Sequence, residues 1–144
     1  MSTVSDILAR KGTEVVTISE TQTVLDAARV MNDRRIGSVV VMGQTGTVAG
    51  ILSERDILTR IVATIRDPRT TIVREVMTSP VEFCTPTTDL CDLRALMRDK
   101  RIRHVPVLER GALRGMVSIG DLNAHESERM SVTVESLEAY ISRA

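Results

Sequence analysis

Two aspartates, Asp56 and Asp121, have the clearest capacity for chemistry in this chain. Each follows a serine with the spacing Ser-x-x-Asp, after a glycine and two apolar residues. A carboxylate that begins a helix can accept two hydrogen bonds from adjacent hydroxyl groups of a bound molecule. The same spacing is also that of a helix-capping box, and the capping value of about 1 kcal/mol could by itself account for both residues. Both interpretations remain open at this point.

The two aspartates belong to an internal repeat. Residues 24–41 return as 90–107 with seven of the eighteen pairs identical, and Gly50–Ile57 returns as Gly115–Leu122. Because a solenoid needs at least about three stacked repeats, two copies indicate a pseudo-symmetric pair instead. We therefore expect equivalent surfaces of the two copies to face each other across a cleft.

Each copy reads as strand, helix, strand, turn, strand and helix. In the helix that follows the first strand of copy one, the apolar residues Val24, Ala27, Ala28 and Met31 recur at helical spacing. We expect this helix to end at Gly37. The predicted fold class is α/β (α+β), with a small mixed β-sheet flanked by helices in each copy. The predicted domains are 1–65 for the first copy with an N-terminal lead-in helix, 66–78 for a linker and second lead-in helix, 79–125 for the second copy, and 126–144 for a C-terminal helix.

Composition excludes several classes of function. The 19 basic and 19 acidic residues cancel, which argues against a nonspecific nucleic-acid binder. One Phe, one Tyr and no Trp leave no aromatic platform for stacked bases. No apolar run approaches the roughly 20 residues of a membrane span, and the N-terminus does not resemble a signal peptide. We therefore expect a cytoplasmic protein without membrane or nucleic-acid partners.

The sequence also lacks the usual patterns of catalytic and metal sites. It contains no Ser/His/Asp, Cys/His or paired-carboxylate constellation, and two histidines are too few for a metal cluster. Cys84 and Cys91 are separated by six residues, which fits neither a CxxC redox pair nor a zinc knuckle. His125, on the polar tail helix, is expected to be solvated. We predict no catalysis and no bound metal.

The duplicated motifs resemble those of a known family. Gly-φ-φ-Ser-x-x-Asp after a hairpin, preceded by Ile-x-x-Val-x-Val after a helix, is similar to a tandem CBS-domain pair, also called a Bateman module. Arg103–Val107 and Val76–Pro80 are also similar to segments of that family. The resemblance extends from about Val4 to about Asn123, and it implies a stand-alone module of the kind found in bacteria and archaea.

The resemblance implies a regulatory ligand that contains adenosine, such as AMP, ADP, ATP, NAD or S-adenosylmethionine, bound in clefts between the copies. Asp56 and Asp121 would accept hydrogen bonds from the ribose hydroxyls, with Ser53 and Ser118 orienting the sugar. The remaining candidates are Val15, Val16, Pro80, Val81 and Glu82 for adenine, Ile36 and Ile102 for the other face of the base, Arg103, His104 and Arg55 for phosphate, and the neighbouring Gly37 and Met116.

The two predicted clefts are unequal. The first copy has Arg55 in its motif but Gly37-Ser38 where the second has Arg103-His104, and Gly120 stands in place of Arg55 in the second. We expect the Asp121 cleft to be the better phosphate site. The apolar stripe Met130, Val134, Leu137 and Ile141 favours a homodimer, and a regulatory module implies an unidentified protein partner. The alternative is an oligomerisation or protein-interaction module with vestigial clefts, and the third hypothesis is an enzyme.

Overall fold

Two similar units of strands and helices make up the protein, and a short helix precedes each unit along the chain. The computed structural model describes residues 1–143. The first helix, α1 (Val4–Lys11), is followed by β1 (Thr17–Ser19), α2 (Val24–Arg34), β2 (Ser38–Met42), β3 (Val48–Ser53) and α3 (Glu54–Ile57), which continues as a π-helical turn, Leu58–Val62. Then come α4 (Val73–Val76), α5 (Leu90–Lys100), β4 (His104–Glu109), β5 (Ala112–Ser118) and α6 (Ile119–Arg143). The mixed α/β class predicted from the repeat is confirmed.

Equivalent residues bound the first long helix of each unit. Thr23 caps α2, because the Asp26 N–H donates to the Thr23 hydroxyl at 3.1 Å and Thr23 N–H donates to the Asp26 carboxylate at 3.2 Å. The left-handed residues that end α2 and α5 are Arg35 (φ 54°) and Arg101 (φ 55°). The expectation that Gly37 closes α2 is therefore wrong. The arginines adopt this conformation although it costs a non-glycine residue about 1 kcal/mol.

The two sheets differ in their first strand. In the first unit β1 pairs parallel with β2, and β2 pairs antiparallel with β3. In the second unit β4 and β5 form a hairpin, and the first strand is reduced to a single bridge between Cys84 and Val107. Val40 N–H donates to the Val16 carbonyl at 3.2 Å, whereas the equivalent residue in the second unit is Pro106, which has no N–H. The proline therefore explains why the segment around Cys84 pairs with β4 over a shorter length than β1 pairs with β2.

The lead-in helices are exchanged between the units. Val4, Ile7 and Leu8 of α1 lie in the hydrophobic core of the second unit. Val73 and Val76 of α4 lie in the core of the first. The predicted domain 1–65 includes α1 because this helix precedes the first unit along the chain, but the helix packs in the core of the second unit. Both lead-in helices present similar apolar residues, so packing rather than sequence order decides which core each helix joins.

Helix α6 continues well past the second unit. It extends over 25 residues, and among residues 119–142 only Leu122, near the start of the helix, is buried in the core. The apolar stripe predicted on the tail is exposed in this protomer, with Val134 51%, Leu137 57%, Met130 64% and Ile141 71% accessible. Among residues 1–143 no helix has both the length and the apolar character needed to cross a membrane.

Candidate functional site

The carboxylate of Asp56 is enclosed by its own unit. Ser53 caps α3, and its N–H and hydroxyl both donate to Asp56 Oδ2, at 3.0 and 3.1 Å. The Thr78 hydroxyl donates to the other oxygen, Oδ1, at 3.0 Å, and Arg60 Nε lies 3.9 Å from the same atom. Only 6% of Asp56 is exposed. Both oxygens therefore already have partners, and the residue acts as a buried cap.

Asp121 repeats the capping geometry but remains more open. Ser118 N–H donates to Asp121 Oδ2 at 2.8 Å, and Asp121 N–H donates to the Ser118 hydroxyl at 3.1 Å. The Lys11 ammonium donates to the same Oδ2 at 2.7 Å. The side chain of Asp121 is 23% exposed, and Oδ1 accepts no hydrogen bond from the part of the chain that the structure describes. One carboxylate oxygen is thus available to a ligand.

The ionisation of Asp121 is compatible with such a role. Burial acts to raise the pKa of the carboxyl, but the Lys11 ammonium and the Ser118 N–H and hydroxyl outweigh it, so the pKa lies below its ordinary value. Asp121 is consequently a carboxylate at neutral pH. An ionised acceptor makes a stronger hydrogen bond to a ligand hydroxyl than a neutral one does.

Different residues occupy the open edges of the two sheets beside these aspartates. At β3 the Thr78 backbone pairs with Ile51, through bonds of 3.1 and 2.8 Å. At β5 the Lys11 ammonium donates to the Met116 carbonyl at 2.8 Å. The residue at the edge of β3 is thus short and uncharged, whereas the residue at the edge of β5 is long and charged. The sequence repeat gave no indication of this difference.

The two segments predicted to contact adenine cross between the units. Lys11 contacts the second unit and Val16 bonds to β2 of the first, so residues 12–15 span the gap. Thr78 bonds to the first unit and Cys84 to the second, so residues 79–83 cross in the other direction. Val15 and Val16 therefore follow the contact with Asp121. Pro80, Val81 and Glu82 follow the contact with Asp56.

Charged side chains converge near the Asp121 cleft. His104 is partly buried and pairs in register with Ser118. Burial lowers the pKa of His104, the Glu54 and Asp121 carboxylates act to raise it, and the Lys11 and Arg103 cations act to lower it further. The net direction is downward, so His104 is neutral at neutral pH. The structure therefore brings Asp121, Lys11, His104, Arg103 and Glu54 into one electrostatic neighbourhood.

The other predicted residues differ in exposure and packing. Arg55 and Arg103 are exposed, and the Arg103 carbonyl accepts from Ile119 N–H at 2.9 Å. Ile36 and Ile102 are partly buried and pack against the cores of their own units. In the first unit Gly37 carries no side chain, and a Cβ there would lie 3.2 Å from the Glu54 carboxylate.

Lys11, Thr78 and Glu54 were not predicted as site residues. Lys11 lies 110 residues from Asp121 in the sequence, so no local motif indicates their contact. Thr78 lies within the segment Val76–Pro80 that supported the family resemblance, and Glu54 lies inside the first Ser-x-x-Asp motif. For Thr78 and Glu54, their position inside these two motifs was the only sequence feature that could have identified them as site residues.

A groove between α1 and α6 adjoins the Asp121 carboxylate. Its volume is about 220 Å³, and its lining residues are Ile7, Arg10, Lys11, Asp121, Ala124, His125 and Glu128. Both ring nitrogens of His125 are buried there without a hydrogen-bond partner among residues 1–143. The expectation that His125 is solvated is therefore wrong, because α1 covers this face of α6. No group of three or more potential metal ligands occurs within the described chain.

Known proteins resemble this chain in sequence. A family model described as the CBS domain matches residues 4–63 and 73–127. The mitochondrial CBS domain-containing protein CBSX3 of Arabidopsis thaliana is 35% identical over 97% of this chain and 72% of its own length. The CBS domain-containing protein YhcV of Bacillus subtilis is 35% identical over 91% of this chain and 90% of its own length.

Solved structures show the same fold. A protein with CBS domains from Burkholderia ambifaria MC40-6 is 37% identical with a TM-score of 0.81, over 84% of this chain and 90% of that one. The hexameric CBS-CP12 protein from bloom-forming cyanobacteria is 28% identical with a TM-score of 0.76, over 85% of this chain and 69% of that one. Hypoxic Response Protein I, solved with two coordinated zinc ions, is 26% identical with a TM-score of 0.73, over 87% and 99%.

Proposed function

This chain belongs to the CBS-domain family, and from that premise we propose that it is a regulatory module that binds an adenine nucleotide beside Asp121. AMP, ADP, ATP and NAD are the candidate ligands, and the module performs no catalysis of its own. In this proposal occupancy of the cleft is passed to a protein partner in the cytoplasm through shifts of the helices that surround it.

The state of the Asp121 carboxylate is the observation that carries the proposal. It is ionised, partly exposed and has one oxygen without a partner in the described chain. A ribose presents two adjacent hydroxyl donors, which such an oxygen can accept. A capping residue needs none of this exposure, since the enclosed Asp56 forms the same capping box.

The surroundings of Asp121 supply the other parts of a nucleotide site. Val15 and Val16, which follow Lys11 across the gap, offer backbone groups and aliphatic surface for an adenine. Arg103 and His104 belong to the same electrostatic neighbourhood as the carboxylate and would contact phosphate. The Asp56 side offers no open carboxylate oxygen, since both oxygens already have partners, so we assign the stronger binding to the Asp121 cleft.

A protein-interaction module with vestigial clefts is the second candidate function. Two observations favour it: Asp56 is closed by internal contacts, and α6 exposes an apolar stripe that its own protomer does not cover. The hexameric CBS-CP12 protein shows that a structural neighbour self-associates. We propose a homodimer for this chain in either case, because the stripe offers apolar surface beyond the two units.

Calorimetric titration of wild type, Asp121→Ala and Asp56→Ala with AMP, ATP and NAD tests the proposal. Loss of a charge-assisted acceptor should weaken binding by Asp121→Ala about ten- to hundredfold. Asp56→Ala should bind nearly as wild type does. It should instead melt lower, since it leaves the Thr78 hydroxyl and Ser53 N–H without their acceptor, at about 1–3 kcal/mol of unfolding free energy.

Thermal shift of the same proteins provides the control for folding, because a ligand bound only by the folded state raises the melting temperature. If Asp121→Ala binds nucleotide as wild type does but melts lower, Asp121 is only a helix cap. Absence of binding to wild type for all three ligands would favour the interaction module.

A further inference from the structure

The N-terminal helix delivers one cation to the Asp121 cleft. Lys11 is the last residue of α1, and its ammonium donates to Asp121 Oδ2 at 2.7 Å and to the Met116 carbonyl at 2.8 Å. An ammonium has three donors, and the third has no acceptor within residues 1–143. The Lys11 side chain is 35% exposed. One of its N–H groups is therefore available to a bound molecule.

The position of Lys11 is fixed by the packing of α1. Ile7 and Leu8 are buried in the core of the second unit, and the absence of a side chain at Gly115 lets Leu8 lie against β5. A Cβ at Gly115 would stand 2.6 Å from Leu8 Cδ2. The ammonium is thus held at the open edge of β5 by the fold rather than by its ion pair alone.

The pairing of Lys11 with Asp121 changes what the carboxylate can bind. Oδ2 already accepts from Ser118 N–H and from the ammonium, so an incoming diol must use mainly Oδ1. A neutral ligand that displaced the ammonium would leave that charge without its counterion in a partly buried place. An anionic group next to the diol would instead give the ammonium a second charged partner.

The groove beside this ion pair has room for such a group. Its volume of about 220 Å³ is bounded by both Lys11 and Asp121, and the charged residues Arg10 and Glu128 also line it. The space next to Lys11 is therefore polar as well as accessible.

We propose that Lys11 is a specificity-determining residue of the Asp121 cleft, which makes the cleft select ligands that carry an anionic group, such as a phosphate, beside a vicinal diol. This inference rests on the proposed nucleotide binding and names the residue that distinguishes a nucleotide from a nucleoside. In the first unit Thr78 takes the corresponding place with an uncharged hydroxyl, and the cation nearest to Asp56 is instead Arg60, from the turn after α3.

Titration of AMP and adenosine against wild type, Lys11→Met, Lys11→Gln and Lys11→Arg tests the inference. The ratio of AMP affinity to adenosine affinity should fall about tenfold in Lys11→Met and Lys11→Gln, since each loses a charge-assisted contact. Lys11→Gln keeps a donor for the Met116 carbonyl, so it can replace Lys11→Met in the comparison if Lys11→Met folds poorly. Lys11→Arg should keep the ratio within about threefold of wild type, because it retains the charge.

Arg98→Met is the matched control. It removes the same unit charge from an exposed pair with Asp99, so the affinity ratio should equal that of wild type. Equal weakening of AMP and adenosine by Lys11→Met would make Lys11 only an anchor of α1 and would overturn the inference. An unchanged ratio would overturn it as well, while leaving nucleotide binding intact. If wild type binds neither AMP nor adenosine, the inference is wrong, and the proposed function is wrong as well if ATP and NAD also fail to bind.

Discussion

At the scale of residues, the two aspartates have equivalent neighbours in the sequence and different neighbours in space. Each forms a capping box with the serine three positions earlier. Thr78 then encloses Asp56, whereas Lys11 leaves one oxygen of Asp121 without a partner in the described chain. A local motif with one stabilising role thus becomes a candidate ligand site in only one of its two copies.

Arg103 should affect phosphate and not sugar. The residue is exposed near the Asp121 cleft, so Arg103→Ala should weaken ATP and ADP by about fivefold, the scale of an exposed charge pair, and leave adenosine nearly unchanged. Calorimetry with the three ligands measures this difference. An equal loss for all three would show that Arg103 supports the cleft without contacting phosphate.

His104 should make stability depend on pH near neutrality. Burial, opposed by Glu54 and Asp121 and reinforced by Lys11 and Arg103, holds its pKa in the folded protein below the ordinary 6.5. The unfolded chain therefore takes up this proton first as the pH falls. The stabilisation is fully present above about pH 6.5 and is lost as the pH falls from there through the lower folded-state value.

Melting temperatures between pH 8 and pH 5 test this for wild type and His104→Asn. The melting temperature of wild type should fall more steeply below pH 6.5, because only wild type carries this titrating group. Parallel curves for the two proteins would show that His104 does not contribute the pH dependence.

At the scale of elements, a glycine in each unit lets a lead-in helix approach the sheet. A Cβ at Gly50 would lie 2.6 Å from Met77 Sδ and 2.8 Å from the Thr78 carbonyl oxygen, which is backbone. At Gly115 the closest atoms all belong to the Leu8 side chain, which can rotate. These glycines of the repeated motif thus serve the packing of α1 and α4.

The two glycines should respond unequally to the same substitution. Gly50→Ala should lower the free energy of unfolding by about 1–3 kcal/mol, because backbone must move, and Gly115→Ala should cost less. Urea unfolding measures both values. If Gly115→Ala proves the more costly, the position of Leu8 is more rigid than the packing of α1 implies.

At the scale of the whole molecule, exposed apolar surface concentrates on α6. Val134 and Leu137 on the stripe are 51% and 57% exposed, a large exposure for residues of that type. We predict that Val134→Glu shifts a homodimer towards monomer in sedimentation equilibrium at micromolar concentration, because it places a charge in the proposed contact. Truncation after Asn123 should have the same effect.

Val132→Glu is the control for this experiment, because it makes the same chemical change on α6 outside the stripe, at a residue 62% exposed. It should leave the mass unchanged. A monomeric wild type, or equal effects of the two substitutions, would contradict dimerisation through the stripe.

The sequence by itself determined the elements and their duplication. Apolar spacing such as Val24, Ala27 and Met31 specifies a helix with one buried face, and Ser-x-x-Asp specifies where α3 and α6 begin, because these interactions join residues three or four positions apart. The absence of an N–H at Pro106 is likewise a property of the residue type alone, and it prevents this residue from donating to a ladder.

Only the tertiary structure decided how the surroundings of the two aspartates differ. The exchange of α1 and α4 between the cores depends on packing over the whole molecule, and it places Lys11 beside an aspartate 110 residues away. It likewise places Thr78 on Asp56 and covers His125 with α1. Two nearly equivalent sequences can therefore give one enclosed carboxylate and one open carboxylate, because burial and charge around a residue come from whatever helix packs on it.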